Sequence, residues 1–457
     1  MITLEHYVVE VSKYVLMSIM MLYACLCFIP YAFMVNEKAK RYLGRAKAVC
    51  YGLQNICMLI LLFLCFLNLT FVTAEENYLF LFAFLLVFLF LMILLVSLIY
   101  EDSNRLLLNN TCLLLGLGLC IISRLSFQKA FRQYLIALLS FGICLAIPYL
   151  LDRFRFWKKL TWAYAFVGIF MLSIVLIVGE TTNGSKITFT LGGITFQPSE
   201  FVKILFLFFV AALLWKDQTL TNVLLSAVVA GLHVIILVVS KDLGSALIFF
   251  VTYVLVVVMT TGNYLYLLLG GIGGVLAAVA AYHLFSHVRV RFLAWQDPWT
   301  YIDAQGYQIT QSLFAISSGG LFGMGLMQGN PDDIPFVQAD MIFSAICEEF
   351  GLIFAIGLIL VCISCFVEMM LISARIQDRF YQMIVYGIAV MYLFQIFLTV
   401  GGGIKFIPLT GVTLPLISYG GSSVMTTMIM FFLVQAIYIR LRNVEHHMEK
   451  EQKTDKL

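Results

Sequence analysis

The chain has 457 residues, of which 62% are hydrophobic and 12% charged, with a formal net charge of +3. Soluble domains are roughly 45–50% apolar and about 25% charged. The composition, with a mean hydropathy of +1.00, therefore excludes water-soluble enzymes, nucleic-acid binders and disordered chains, and implies many membrane spans.

A spanning helix needs ~20 mostly apolar residues. Thirteen such stretches follow one another, at about 13–35, 51–73, 78–99, 105–123, 131–151, 160–179, 197–215, 220–239, 242–261, 264–285, 341–371, 380–402 and 412–439. The first lacks a small-residue cleavage site and reads as a span, not a cleaved signal. The runs are continuously apolar rather than alternating, which predicts helices and not a barrel. Thirteen crossings put the two ends on opposite sides. With the N-terminus outside, eighteen Lys and Arg residues fall in inner segments and nine in outer ones, with Lys203 inside a span. The positive-inside rule thus predicts an outer N-terminus and a cytoplasmic C-terminus. One expected outer loop, 124–132, runs against the rule with Arg124, Lys129 and Arg132.

The one long connection, 286–340, falls outside. It carries Arg289, Arg291, Asp297, Asp303, Asp332, Asp333 and Asp340, and a glycine-rich run at 319–325 that reads as a flexible or re-entrant loop. Loops that long are usually functional. No strand–turn–helix unit surrounds the glycines, so they are not a dinucleotide fingerprint.

Ten of the eleven cysteines sit in apolar runs and Cys50 at the edge of one, so they read as small buried hydrophobes. No His/Cys/carboxylate cluster has metal-ligand spacing. His233 and His283 read as lone, partnered helix residues.

Charges inside a bilayer are costly, and each is a functional candidate. Glu200 and Lys203 stand three apart, on one helical face where they can pair, and Pro198 suits a first turn. The pair reads equally as a structural brace or as the lining of a polar groove. Asp242 lies at the outer end of a span, where the helix dipole favours a carboxylate. Glu348 and Glu349 lie two turns into the span after the long loop; neighbours cannot share a face, so one of them is expected to meet a polar cavity. A polar outer loop beside buried charge fits an enzyme acting on a lipid-linked substrate, or a transporter of a polar head group.

Four stretches carry more. The first is Gly193-Ile194-Thr195-Phe196-Gln197-Pro198-Ser199-Glu200-Phe201-Val202-Lys203, and the second Asp242-Leu243-Gly244-Ser245-Ala246. The third runs through Asp297-Pro298-Trp299, Gly306-Tyr307-Gln308, Gln311-Ser312, Ser318-Gly319-Gly320-Leu321-Phe322-Gly323, Asp340-Met341-Ile342-Phe343 and Glu348-Glu349-Phe350-Gly351. The fourth is Leu414-Pro415-Leu416-Ile417-Ser418-Tyr419-Gly420-Gly421-Ser422-Ser423. In that order they resemble the SEDS family, whose members include RodA, FtsW and SpoVE. The resemblance covers about 105–440 and implies an all-α polytopic fold. A ten-helix core spans 101–440, with the outer loop 286–340. Three additional spans occupy 1–100, and a charged cytoplasmic tail occupies 441–457.

The resemblance further implies a peptidoglycan glycosyltransferase that polymerises lipid II at the outer face of the bacterial cytoplasmic membrane, in elongation, division or sporulation. It implies a class B penicillin-binding protein as partner, membrane lipid around the chain and no nucleic acid. Such chemistry needs a carboxylate base, cations or a divalent metal such as Mg or Mn at the departing pyrophosphate, an apolar groove for the polyprenyl chain, and no organic cofactor. By the family pattern the base is Asp340. Glu200, Lys203, Asp242 and Ser422 are expected to order the polar cavity around substrate. Arg289 and Arg291 are expected at the pyrophosphate, with Lys186 and Lys405 behind them. The sequence departs from the pattern at Gln338-Ala339, where His-Thr is common, and at Lys186-Ile187-Thr188, where arginine and tryptophan are usual. A flippase of lipid-linked saccharide and a non-catalytic scaffold are the competing readings.

Overall fold

The structure, a computed structural model, describes residues 4–35, 41–154, 156–182, 185–191 and 194–454. The helices are α1 (Leu4–Val35), α2 (Leu43–Thr73), α3 (Asn77–Ile99), α4 (Arg105–Leu125), α5 (Phe127–Arg153), α6 (Thr161–Val178), α7 (Pro198–Leu214), α8 (Leu220–Val239), α9 (Leu243–Thr261), α10 (Leu265–Leu284), α11 (Ser286–Gln296), α12 (Tyr307–Gly319), α13 (Ile342–Arg375), α14 (Arg379–Gly403) and α15 (Gly421–Thr454). Twelve of them are long and apolar enough to cross a membrane. The remaining expected span, α7, has 17 residues. At 1.5 Å per residue it reaches ~26 Å, a little under the ~30 Å hydrocarbon core.

Helix α4 is the hub. Its apolar window is buried along its whole length, packed by α2, α3, α5 and α13. At the other extreme, α10 has no buried side chain and lies against α9 and α11. The N-terminal unit docks through α1, which packs on α2 and α13, while α2 and α3 pack on α4. Buried polar contacts fix the register. Asn68 donates to Ser12 Oγ at 2.7 Å, Tyr23 to Asn110 Oδ1 at 3.1 Å, and Asn110 to Ser364 Oγ at 2.8 Å. Such bonds average about 0.6 kcal/mol each in a membrane, so they select one alignment more than they add strength.

Several expected connections are different in the structure. The 124–132 loop is reduced to Ser126, because α4 runs to Leu125 and α5 starts at Phe127. The basic 36–50 segment is helical from Leu43 onward, while 36–40 lie outside the described residues. The long connection is built rather than loose, with α11, α12 and a 3-10 turn at Pro331–Asp333. Between α6 and α7 stands a small antiparallel sheet that the span search missed: β1 (Glu180–Thr182), β2 (Ser185–Leu191) and β3 (Ile194–Phe196), in that order. Its alternating Thr, Ile and Phe residues suit a strand, and register pairs Phe189 with Phe196.

The feature that places the site is a break in α13. Gly351 has φ 85° and ψ 166°, inside an otherwise helical run. The amides and carbonyls freed there pair with the glycine-rich run. Met324 N donates to Glu348 O and Gly325 N to Glu349 O, both at 2.9 Å, and Leu352 N donates to Gly320 O at 3.0 Å. In an apolar medium such groups must find partners. A Cβ at Gly323 would lie 2.4 Å from Glu349 O, and one at Gly351 2.4 Å from Gly323 N, so only glycine allows this approach. Of the two readings of this run, a flexible or a re-entrant loop, flexibility is excluded: it is clamped to the helix.

Candidate active site

Asp340 ends the long connection, two residues before α13. Its carboxylate is buried, 9% exposed, and Oδ1 has no hydrogen-bond partner among the described residues. Burial pushes the group up to about 6, with Arg291 and Gln308 pulling the other way. It does not cap α13: the capping position is Met341, and no side chain caps that end. The backbone before Asp340 is gripped instead: Tyr419 N donates to Gln338 O at 2.7 Å, and Ser418 Oγ to Ala339 O at 2.5 Å. Gln133 of α5 holds the gripping turn at both ends, donating to Ser418 O at 3.1 Å and accepting from Gly420 N at 3.0 Å. The third and fourth motif stretches thus meet at this aspartate.

Arg291 of α11 donates through Nη1 to Leu409 O at 3.3 Å and Thr410 O at 3.1 Å. Its Nη2 comes within 3.9 Å, and Asp340 Oδ2 within 4.0 Å, of the point where a Gly411 side chain would begin. Gly411 has φ +77° and leaves that space open. Asp242 also faces Arg291 closely enough to stabilise its charge, against the burial that depresses it. Asp242 caps α9, accepting from Ser245 N at 3.1 Å through Oδ1, and takes Ser199 Oγ at 2.9 Å through Oδ2.

Glu200 and Lys203 are buried and paired at 2.8 Å. Lys203 also donates to Gln395 Oε1 at 3.1 Å, and Gln395 donates to Thr413 O at 2.9 Å. The pair therefore braces the 409–413 turn. Ser422 accepts from Gln197 N at 2.9 Å, tying α15 to the start of α7. Arg289 is not brought to Asp340: it is exposed, donates to His283 O at 3.1 Å and lies over the Tyr282 ring. Lys405 sits by Asp297. Lys186 is on β2, opposite Thr181. Glu348 and Glu349 both serve the loop, Glu348 accepting from Asn330 N at 3.0 Å and Glu349 from Met327 N at 3.2 Å.

Two further groups carry no linear signal: His287, close to Arg291, and Lys241, close to His287. His287 of α11 is held below its ordinary value by burial first, then by Arg291 and Lys241, and its Nε2 has no hydrogen-bond partner among the described residues. Lys241 takes a left-handed φ of 65°. An apolar cavity of about 840 Å³ opens beside Arg291, walled by Leu243, Ala246 and Phe250 of α9 and by Gly274, Ala277 and Ala278 of α10, with Arg291 and Thr410 among its lining. A chain of methylenes fits such a wall, and a charged head group at Arg291 would lie against Asp340. Among the described residues no three His, Cys or carboxylate groups could hold a metal by themselves.

Residues 105–443 match the model of the cell cycle protein family of FtsW, RodA and SpoVE. A peptidoglycan glycosyltransferase RodA of Mycobacterium leprae is 32% identical over 374 residues, 75% of this chain and 78% of that one. Stage V sporulation protein E of Bacillus subtilis is 31% identical over 320 residues, 67% of this chain and 85% of that one. Among solved structures, a chain of a peptidoglycan synthase complex, described as coordinating polymerization and crosslinking, superposes with a TM-score of 0.64 at 25% identity, over 74% of this chain and 98% of that one.

Proposed function

Because the chain belongs to the family of FtsW, RodA and SpoVE, it is a peptidoglycan glycosyltransferase embedded in a membrane by many spans, and we propose that Asp340 is its general base. The substrate on this reading is lipid II. An acceptor sugar hydroxyl attacks the anomeric carbon of the donor. The new bond is sugar oxygen to carbon, and the broken one is carbon to diphosphate oxygen. The hydroxyl proton passes to Asp340, and the polyprenyl diphosphate leaves with the electron pair. A base poised near the working pH serves this step best. Arg291 receives the developing charge, and the α9–α10 cavity holds the polyprenyl chain.

A divalent cation on this reading would be carried by the diphosphate itself, as Mg²⁺ usually is, since among the described residues no three His, Cys or carboxylate groups cluster to hold one, and Asp340 is kept free as the base. Bound there, the cation would neutralise diphosphate charge.

We place the N-terminus outside and the C-terminus in the cytoplasm on the distribution of Lys and Arg. The partner proposed is a class B penicillin-binding protein, on the likeness to a complex that coordinates polymerization and crosslinking.

The observation that carries this reading is that buried Asp340, with Oδ1 unpartnered among the described residues, and Arg291, which lines the apolar cavity, both lie about 4 Å from the open side-chain position of Gly411. The test is polymerisation of lipid II by the purified chain, with and without the crosslinking partner, beside Asp340→Asn. Polymer from the wild type and none from a folded mutant is the expected result. Polymer from Asp340→Asn would remove the base assignment, and lipid II translocation without polymer would favour a flippase.

A further inference from the structure

Helices α1–α3 precede the matched residues 105–443, and the reaction described above uses none of them. We propose that this N-terminal unit positions the outer catalytic segment, 319–340, through Lys13 and Tyr14 of α1. Lys13 Nζ donates to Gly323 O at 3.4 Å and pairs with Glu10 at 2.7 Å. The Tyr14 ring lies 5.7 Å from that of Phe322. Val9 Cγ1 stands 2.7 Å from where a Gly325 side chain would begin. One stretch of α1 therefore seats residues 322–325 from one side, while α13 pairs with them from the other at Gly351.

From there the support is continuous. Glu349 holds Met327 N, Glu348 holds Asn330 N, and Arg124 donates to Gly329 O at 3.1 Å. The segment then turns at Pro331–Asp333 and ends at Asp340. The unit is docked independently near the other end of α1. Tyr31 OH donates to Glu368 Oε2 at 2.6 Å, and Asn104 Nδ2 to Glu368 Oε1 at 2.6 Å. The contacts of Lys13 and Tyr14 are therefore not what attaches α1 to the core; they bear on the loop. Misplacing a reacting group by 1 Å costs about a hundredfold in rate, so support at this distance reaches the chemistry.

The activity part of the test rests on the polymerase reading; the exchange part does not. The full chain in lipid nanodiscs would carry Lys13→Met with Tyr14→Ala. Amide hydrogen exchange over 320–330 should rise about tenfold or more. The kcat for polymerisation should fall about tenfold, KM should stay within about twofold and the melting midpoint should not move. Tyr31→Phe should lower the midpoint and leave exchange at 320–330 and kcat alone, and Leu22→Ala, on an exposed part of α1, should change neither. If the double variant does not accumulate, Tyr14→Ala alone carries the same readings. Unchanged exchange at 320–330 would overturn the proposal. So would an equal fall in kcat in Tyr31→Phe or Leu22→Ala. If the wild type makes no polymer, the exchange result still decides.

Discussion

Arg291 Nη2 and Asp340 Oδ2 both border the empty side-chain position of Gly411, 3.9 Å and 4.0 Å from it, without forming an ion pair. A directly paired carboxylate would be held as a strong acid. Here burial outweighs the arginine, and Asp340 is raised to about 6. As base it works only when deprotonated, so kcat should climb with pH through about 6 and level above it. Arg291→Met should move that limb to higher pH, since the arginine pulls the group down, and should lower kcat as well. A pH profile of single-turnover polymerisation checks both. Arg291→Lys should restore only part, because an ammonium cannot hold the turn through one nitrogen and present another.

Gly411→Ala should cut polymerisation about a hundredfold, because the methyl would fill the space where the two groups meet. The left-handed backbone adds a cost of about 1–2 kcal/mol, too little to unfold the chain. Rate and melting midpoint, measured on the same preparation, separate the two effects.

Lys203→Met leaves Glu200 buried without its cation, and should destabilise the chain by about 3–5 kcal/mol. Adding Glu200→Gln should recover much of that loss, because no buried charge is then unpaired. Thermal unfolding in one detergent gives the comparison.

Ala278→Trp should narrow the α9–α10 cavity. With a full-length polyprenyl donor KM should rise about tenfold, as for a few lost methylene contacts. With a short-chain analogue it should hardly change. Equal KM changes for both would place the chain elsewhere.

Most of the fold was legible because the membrane requires it: each span announces itself as ~20 apolar residues. The errors fall where that signal is silent. The sheet at 180–196 is too short and too polar for a span search, and α11 and α12 are hidden in a mixed stretch. Asp340 was singled out by resemblance and Arg291 by its charge and position, and the structure brings both to Gly411. Arg289 looked equivalent to Arg291, but two positions along a helix turn a side chain away, and it faces His283 O. Gln133, Gly411, His287 and Lys241 carried no linear signal. Gln133 acts on a turn 285 residues later, and a distance of that kind is written only in three dimensions. Glu368 was passed over because one acid inside a long apolar run reads as an interruption, while its partner Tyr31 is 337 residues away.

Arg124 gave the charge count its one awkward loop, and its partner Glu349 lies 225 residues downstream, at 2.8 Å. During synthesis at roughly 5–20 residues per second, α4 therefore enters the bilayer some tens of seconds before its acid exists. With the N-terminus outside, as proposed above, the growing chain for that interval holds a bare cation on the side that cations avoid. The insertion machinery must retain or shield α4 until α13 emerges, and the topology of the first half is sealed only by the second.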